Sequence, residues 1–179
     1  MSAYPSGSME DREILAEFPM EKLLDYFFLQ IRNIWRVDGL YFLGIEKRFG
    51  TEATTEIDAS VWETMAAIEA KSLQRMFDIG ENPDLATIIH LLRKSSWALD
   101  QPFKNIDVVD KRATLSIDKC RTQEVRLSKG LCEFPCKKVR FGYLRNFAKT
   151  LNPKIEVNCL VCPPDEHPKN LWCKWEFTV

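Results

Sequence analysis

The sequence predicts an α+β fold, and the spacing of its apolar residues is the main reason. From Met20 to about Trp97 these residues recur at intervals of three and four, which is typical of helices with one face on a core. After Pro102 they alternate with polar residues, which is typical of short strands. We therefore expect an N-terminal helical half packed on a small, mostly antiparallel C-terminal sheet that one helix crosses.

The length of 179 residues is enough for one domain with its own hydrophobic core. We expect a single α+β domain over residues 13–179, with a helical part at 13–100 and a sheet part at 101–179. Residues 1–12 are small and polar, and we predict that they form a disordered tail.

Three helices are predicted in the first half. The first runs from Met20 to Phe49 and ends at Gly50, because glycine commonly terminates helices. The second covers residues 51–79. The third begins at residues 82–84, where a polar cap and an early proline favour a helix start, and it runs to about Trp97.

The second half is predicted to contain four strands and one helix. Two strands, 105–109 and 113–118, flank a polar turn. A helix follows Pro135 and continues to Leu151. Residues 154–160 and 171–179 alternate again, and these two strands can pair across the loop between them.

Charge and apolar patterning exclude two classes of partner. A formal net charge of -1 gives no electrostatic reason to expect binding to nucleic acid. Residues 1–13 lack the apolar core of a secretory signal, and charged residues interrupt the most apolar stretch, 23–49. We expect a cytoplasmic protein with no membrane partner. The sequence does not determine its oligomeric state, and a dimer is one option.

All six cysteines lie between Cys120 and Cys173, and cytoplasmic thiols stay reduced. Cys136, Cys159, Cys162 and Cys173 would supply the four thiolates of a structural zinc site, and we expect them to converge in space. The Pro-Pro pair after Cys162 and the missing second Cys-x-x-Cys pair argue against metal. We expect no cofactor, with zinc as the alternative.

Cys136 is also a candidate nucleophile. It follows Pro135 in the predicted first turn of a helix and precedes two lysines, and both features lower a thiol pKa. Asp165 and His167 are the candidate proton carriers. The alternative is that Cys136 is a small buried residue of the core.

Asp38 is the second unusual feature. On a helix its neighbours at three and four residues include Trp35, Tyr41 and Phe42, all of them aromatic. A carboxylate in such surroundings needs a partner or a raised pKa, and it is a candidate for a pocket. The alternative is that Asp38 caps a helix that restarts at Gly39.

The second half of the chain contains a series of motifs, most of them with a cysteine: Cys120-Arg-Thr-Gln, Gly130-Leu-Cys-Glu-Phe-Pro-Cys136-Lys, Cys159-Leu-Val-Cys-Pro-Pro-Asp165, His167-Pro and Trp172-Cys-Lys-Trp-Glu-Phe177. These motifs resemble those of a family of uncharacterised cytosolic bacterial and archaeal proteins. The segments Asp38-Gly-Leu-Tyr-Phe and Glu46-Lys-Arg-Phe-Gly50 extend the resemblance toward the N-terminus. This resemblance implies no known activity.

The C-terminal third is more distantly similar to L-2-amino-thiazoline-4-carboxylate hydrolase-like proteins. Cys120 or Cys136, Cys162-Pro-Pro-Asp165 and Cys173-Lys-Trp-Glu-Phe177 match that family's cysteine motifs in order. The segment between Asp165 and Cys173 is shorter than that family's insert. A weaker likeness is to 4-vinyl reductase-type small-ligand domains, and it implies binding of an apolar ligand.

These resemblances and residues predict a cysteine-dependent hydrolase-like protein that acts on a small thiazoline, amide or amidine. Its catalytic residues would be Cys136, Asp165 and His167. One alternative is a non-catalytic module that encloses an apolar or aromatic ligand. In either case the predicted ligand-binding residues are Trp35, Asp38, Tyr41, Phe42 and Cys162. The second alternative is a structural zinc-binding domain.

Overall fold

A computed structural model describes residues 7–179 of the chain. Its elements in chain order are α1 (Met9–Ala16), α2 (Met20–Met76), α3 (Leu85–Leu92), α4 (Ser96–Leu99), β1 (Lys104–Val109), β2 (Arg112–Ile117), α5 (Arg121–Ser128), α6 (Cys136–Leu151), β3 (Glu156–Val161) and β4 (Cys173–Thr178). The chain divides between Gly39 and Leu40 into two compact units. The prediction that residues 13–179 form a single domain stays a prediction.

The first unit contains α1 and the beginning of α2. Ser8 caps α1: its hydroxyl accepts a hydrogen bond from the Asp11 backbone N–H, and the Asp11 carboxylate accepts one from the Ser8 backbone N–H. The helix therefore begins at Met9, inside the segment predicted as a tail, while residues 1–6 lie outside the described residues. None of the side chains of α1 is buried.

Helix α2 has one break in helical geometry, at Gly50. This residue has φ 81° and ψ 166°, a combination that only glycine adopts at low cost. The predicted division at Gly50 is confirmed. By contrast, the backbone stays helical through Gly39, so Asp38 lies inside a continuous helix and does not cap a restart there.

The sheet is antiparallel throughout, with strand order β1-β2-β4-β3, and the predicted α+β class is confirmed. β1 and β2 form the predicted hairpin, with Val109 opposite Arg112. β3 and β4 pair as predicted, with an irregularity between Cys159 and Val161. The alternating residues that bury one face of the sheet are Ala113, Leu115, Ile117, Trp175 and Phe177.

Helix α6 packs on β3, and α3 packs on both β2 and α6. The buried face of α6 repeats at helical spacing and consists of Val139, Arg140, Tyr143, Leu144, Phe147, Ala148 and Leu151. Arg140 is the charged member of this face, and its side chain is buried beside α6. Within residues 7–179 no helix combines the length and the apolar character that crossing a membrane requires.

The sequence did not predict α5, because this helix lacks an apolar stripe. Its buried side chains are Gln123 and Arg126. Gln123 exchanges two hydrogen bonds with the Phe134 backbone, at 2.9 and 2.7 Å. Polar contacts therefore hold α5 in place where apolar burial would normally do so.

Candidate functional site

The first two turns of α6 present a cysteine, an arginine and a tyrosine on one face. Cys136, Arg140 and Tyr143 are spaced by four and three residues, so their side chains are neighbours along the helix. Pro135 precedes the helix without a side-chain cap. The backbone N–H of Lys137 instead donates to the Pro163 carbonyl at 2.8 Å, which fastens the loop after β3 to the start of α6.

Arg140 lies inside a box of aromatic rings. Its guanidinium carbon is 5.3 Å from the centroid of Trp62, 5.2 Å from Trp97 and 5.3 Å from Tyr143. The residue is 4% exposed. Ring faces attract a cation, and this attraction is stronger where water is excluded. The box thus holds a buried guanidinium against aromatic walls.

A hydrogen-bond network joins the box to α2 and α4. The Tyr143 hydroxyl donates to Glu69 Oε2 at 2.7 Å, and the Ser96 backbone N–H donates to Glu69 Oε1 at 2.6 Å. Burial, and then the negative charge of Glu69, raise the pKa of Tyr143 well above its ordinary value. The tyrosine therefore stays protonated and serves as a hydrogen-bond donor.

Four cysteines meet beside this face of α6. The Cys162 thiol interacts with the thiols of Cys136, Cys159 and Cys173, and both Cys162 and Cys173 are buried. Cys136 and Cys159 are partly exposed. The structure therefore brings together the four cysteines that the sequence singles out as candidate metal ligands.

Contacts within the cluster shift the pKa values of its cysteines in opposite directions. Interaction with the other three thiols raises the pKa of Cys162 far above its ordinary range. The hydrogen bond from Cys162, with the charge of Arg140, lowers the pKa of Cys136 to about 7. The Cys162 thiol also lowers the pKa of Cys159, with help from the charge of Lys137. Cys136 is consequently the partly exposed thiol best placed to ionise near neutral pH.

The cluster is not arranged around an open metal position. Among residues 7–179 no group of three or more His, Cys, Asp or Glu side chains already has the geometry to hold an ion. Cys162 instead lies in contact with the three other thiols.

The two predicted proton carriers are engaged elsewhere. Asp165 pairs with Lys137 at 2.6 Å on the surface. His167 packs on Trp172, with ring centroids 4.8 Å apart, and its Nε2 lies 3.3 Å from Glu133. In the described part of the chain no hydrogen bond joins Cys136 to Asp165 or to His167. The three residues predicted as catalytic therefore do not form a hydrogen-bonded set.

The predicted ligand-binding residues of α2 fall into three environments. Phe42 is 5% exposed and contacts the Phe134 ring edge to face at 4.8 Å. Tyr41 is 70% exposed and lines a surface groove with a volume of about 410 Å³. In the first unit Trp35 is buried and Asp38 is half-buried.

The sequence alone does not single out Arg140, Trp62, Trp97 or Tyr143. One signal was present: an arginine placed four residues after a cysteine and three before a tyrosine lies on a face that is otherwise apolar. Trp62 and Trp97 come from distant parts of the chain, so only the tertiary fold shows that they enclose Arg140.

Trp175 supplies a second buried N–H donor near α6. The indole N–H of Trp175 is fully buried, and within residues 7–179 it finds no hydrogen-bond acceptor. The Trp175 ring stacks on the Phe141 ring of α6, with the ring centroids 6.4 Å apart. A buried donor without an acceptor is rare in folded proteins, and it often marks the position of a water or a ligand.

Comparisons with known proteins give a family and a fold. Residues 16–179 match the sequence model of DUF6125, which is described as a family of unknown function. No curated protein matches the sequence. The crystal structure of the phenol-responsive sensory domain of the transcription activator PoxR with phenol is similar in fold, with a TM-score of 0.51 and 14% identity. The similarity covers 78% of this chain and 71% of that chain.

Proposed function

We propose that this chain, which belongs to the DUF6125 family of unknown function, is a small-molecule binding module for an aromatic ligand that carries a negative or hydrogen-bond-accepting group. The observation that carries the proposal is the aromatic box around Arg140, a guanidinium that is 4% exposed. Ligand sites are typically apolar and aromatic, with a few fixed polar groups that orient the ligand. The interior beside α6 has this composition.

Two further observations support a ligand of this class. The buried indole N–H of Trp175 is a donor that a ligand oxygen could satisfy. The PoxR sensory domain, with which this chain shares a fold, is phenol-responsive. A phenol combines an aromatic ring with one polar oxygen, which is the ligand chemistry that the box favours.

The hydrolase hypothesis receives less support. A thiol hydrolase needs a base or acid within hydrogen-bond reach of its nucleophile. Asp165 and His167 form their contacts with Lys137, Glu133 and Trp172 instead. The lowered pKa of Cys136 favours a nucleophile, but the two predicted proton carriers make their contacts with other residues.

The binding proposal is tested by thermal shift and calorimetry with phenol, benzoate and indole. We expect phenol or benzoate to raise the melting temperature of the wild-type protein, because a ligand that binds only the folded state stabilises it by mass action. Arg140→Met should abolish the shift with benzoate. Arg145→Met is the matched control, because Arg145 lies 5.4 Å over the Phe141 ring on the same helix but is exposed.

Two results would overturn the binding proposal. One is that no small molecule is retained by the purified protein in native mass spectrometry and none of the three probes shifts the melting temperature. The other is that Arg140→Met and Arg145→Met respond to benzoate alike.

A second candidate function is structural zinc binding by Cys136, Cys159, Cys162 and Cys173. The observation that favours it is that these four cysteines, from α6, β3, the loop after β3 and β4, lie together in the fold. Four thiolates at about 2.3 Å are the common ligand set of a structural zinc ion. Zinc would replace the thiol–thiol contacts and tie the start of α6 to β3 and β4.

Elemental analysis of protein purified without chelators tests the zinc proposal. We expect one zinc per chain, and we expect Cys173→Ser to lose it. Cys132→Ser should keep the metal, because Cys132 is exposed and is not among the four clustered cysteines. Wild-type protein without zinc, whose thiols zinc fails to protect from alkylation, would refute this function and leave the binding module untouched.

A further inference from the structure

The four clustered cysteines differ in their exposure to solvent. Cys162 and Cys173 are buried, at 0% and 6% exposure, whereas Cys136 and Cys159 are half-buried. The Cys162 thiol contacts the thiols of both half-buried cysteines. The fold therefore holds one protected sulfur against two sulfurs that are partly open to solvent.

A backbone hydrogen bond holds Cys162 beside the start of α6. The Lys137 N–H donates to the Pro163 carbonyl at 2.8 Å, and these two residues directly follow Cys136 and Cys162 in the chain. The two cysteines therefore come from segments that the backbone itself joins. A disulfide requires two cysteines whose backbones lie close together, and Cys136 and Cys162 belong to such segments.

The strand register holds Cys162 from the other side. Val161 lies opposite Lys174 in the β3–β4 pair, and each of these residues adjoins one of the two buried cysteines. Cys162 is thus fixed between the sheet and α6. The contact between the Cys136 and Cys162 thiols follows from the arrangement of three elements and does not depend on a single loop.

Cys136 has the better surroundings for attack on an electrophile of the two half-buried thiols. It is the first residue of α6, where the backbone N–H groups of the helix end favour negative charge. The Arg140 guanidinium also contacts the Cys136 sulfur. A cation and a helix N-terminus both make a thiol more reactive. Cys159 lies in β3 and lacks the helix end.

From these contacts we propose that Cys136 and Cys162 form a reactive dithiol whose substrate class is hydroperoxides. Cys136 attacks the O–O bond: an S–O bond forms, the O–O bond breaks, and the leaving oxygen takes the thiol proton and departs as water or an alcohol. Cys162 then attacks the Cys136 sulfenic acid. An S–S bond forms, the S–O bond breaks, and the hydroxyl leaves as water with the Cys162 proton. The dithiol loses two electrons and two protons, and the hydroperoxide gains both.

This reaction is separate from ligand binding and from zinc binding. Neither step requires an aromatic ligand. Zinc on the four sulfurs would be released with the disulfide, because two of its ligands would be lost. Disulfide mapping therefore reports on the dithiol, while elemental analysis reports on the metal.

Hydrogen peroxide, added at about one equivalent to the reduced full chain, tests the proposal. We expect each chain to lose two of its six free thiols, and dithiothreitol to restore them. Peptide mass spectrometry without reductant should find the Cys136–Cys162 disulfide. Cys132→Ser is the matched control, at an exposed cysteine outside the cluster, and it should form the same disulfide.

Two further variants separate the steps. Cys162→Ser should stop the reaction at the sulfenic acid, because the second thiol is missing, and dimedone should then label Cys136. Cys136→Ser should leave the remaining thiols reduced. Far-UV circular dichroism verifies that the variants are folded, and the disulfide map of the wild-type protein decides the question even if one of them is not.

The dithiol proposal fails in three cases. In the first, all six thiols of the wild-type protein survive peroxide, with or without bound zinc. In the second, the disulfide joins Cys162 to Cys159 or Cys173, or forms between two chains. In the third, dimedone labels another cysteine of folded Cys162→Ser before it labels Cys136.

Discussion

At the scale of single residues, Cys136 shows how position determines thiol chemistry. It occupies the start of α6, one turn before Arg140 and against the Cys162 thiol. Cys120 differs in its acidity, because burial raises its pKa to about 12. Identical side chains therefore differ widely in reactivity within one small region, and the cause is the charge and the burial around each sulfur.

We predict that Cys136 reacts first with iodoacetamide at limiting reagent in chelator-treated protein. The thiolate is the reactive form, so its labelling rate should rise with pH and reach half of its maximum at about pH 7. Arg140→Met should move this midpoint to higher pH, because it removes the cation that stabilises the thiolate. Peptide mass spectrometry at a series of pH values measures both effects.

Exposed Cys132 is the internal reference for access of the reagent. If all six cysteines are equally inert, or if Arg140→Met leaves the midpoint unchanged, the electrostatic account of Cys136 is wrong.

At the scale of secondary structure, an ion pair secures α5 to α2. Arg126 donates two hydrogen bonds to Glu46, at 3.0 and 2.9 Å, and a third to the Cys132 carbonyl at 3.0 Å. The two side chains are only 8% and 13% exposed. The guanidinium also lies 5.5 Å from the centroid of Phe42. A helix without an apolar stripe is therefore fixed by one buried charge pair and its aromatic neighbours.

We predict that Arg126→Met destabilises the protein by about 3 kcal/mol, because it leaves the Glu46 carboxylate buried without its cation. Arg145→Met, which breaks an exposed pair with Glu63, should cost less than about 1 kcal/mol. Urea unfolding of the two variants gives the comparison. Equal costs would mean that Glu46 and Arg126 do not hold the helix.

The same pair predicts a pH dependence. The hydrogen bonds from Arg126 lower the pKa of Glu46 below its unfolded value of 4.5. The stabilisation is therefore complete above that unfolded pKa, and it is lost as the pH falls through the lower folded pKa. Wild type should lose more stability than Glu46→Gln between pH 5 and pH 3, about the range in which carboxylates titrate. Parallel losses in urea unfolding would contradict this.

At the scale of the whole molecule, the core lies in the second unit. The sheet, α3 and α6 supply most of the fully buried large side chains, among them Trp175, Tyr143, Phe147 and Phe177. In the first unit, by contrast, α1 has no buried side chain. Stability should therefore be distributed unevenly along the chain, with the N-terminal residues contributing least.

We predict that deletion of residues 1–12 leaves the melting temperature unchanged within about one degree, because residues 9–12 bury no side chain. Deletion of residues 176–179 is the control. It removes part of a central strand together with buried Phe177, and it should unfold the protein. Differential scanning calorimetry compares the two. A drop of several degrees on N-terminal deletion would show that this segment docks on the rest of the protein.

The local features of this protein follow from the sequence by itself. Apolar spacing predicts the long helices, the break at Gly50, the hairpin and the pairing of the last two strands, because neighbouring residues determine helix and strand periodicity. Helix α5 does not follow from that rule, because polar groups take the place of its apolar face.

Cysteine spacing also indicates which four thiols meet, since Cys159 and Cys162 flank the end of β3 and Cys173 begins β4. The charge around those thiols and the composition of the binding site depend on the tertiary structure. Arg140 becomes an interior cation only because Trp62 and Trp97 arrive from distant segments and enclose it. Burial and electrostatic interaction are properties of neighbours in space, and most neighbours of Arg140 are far away along the chain.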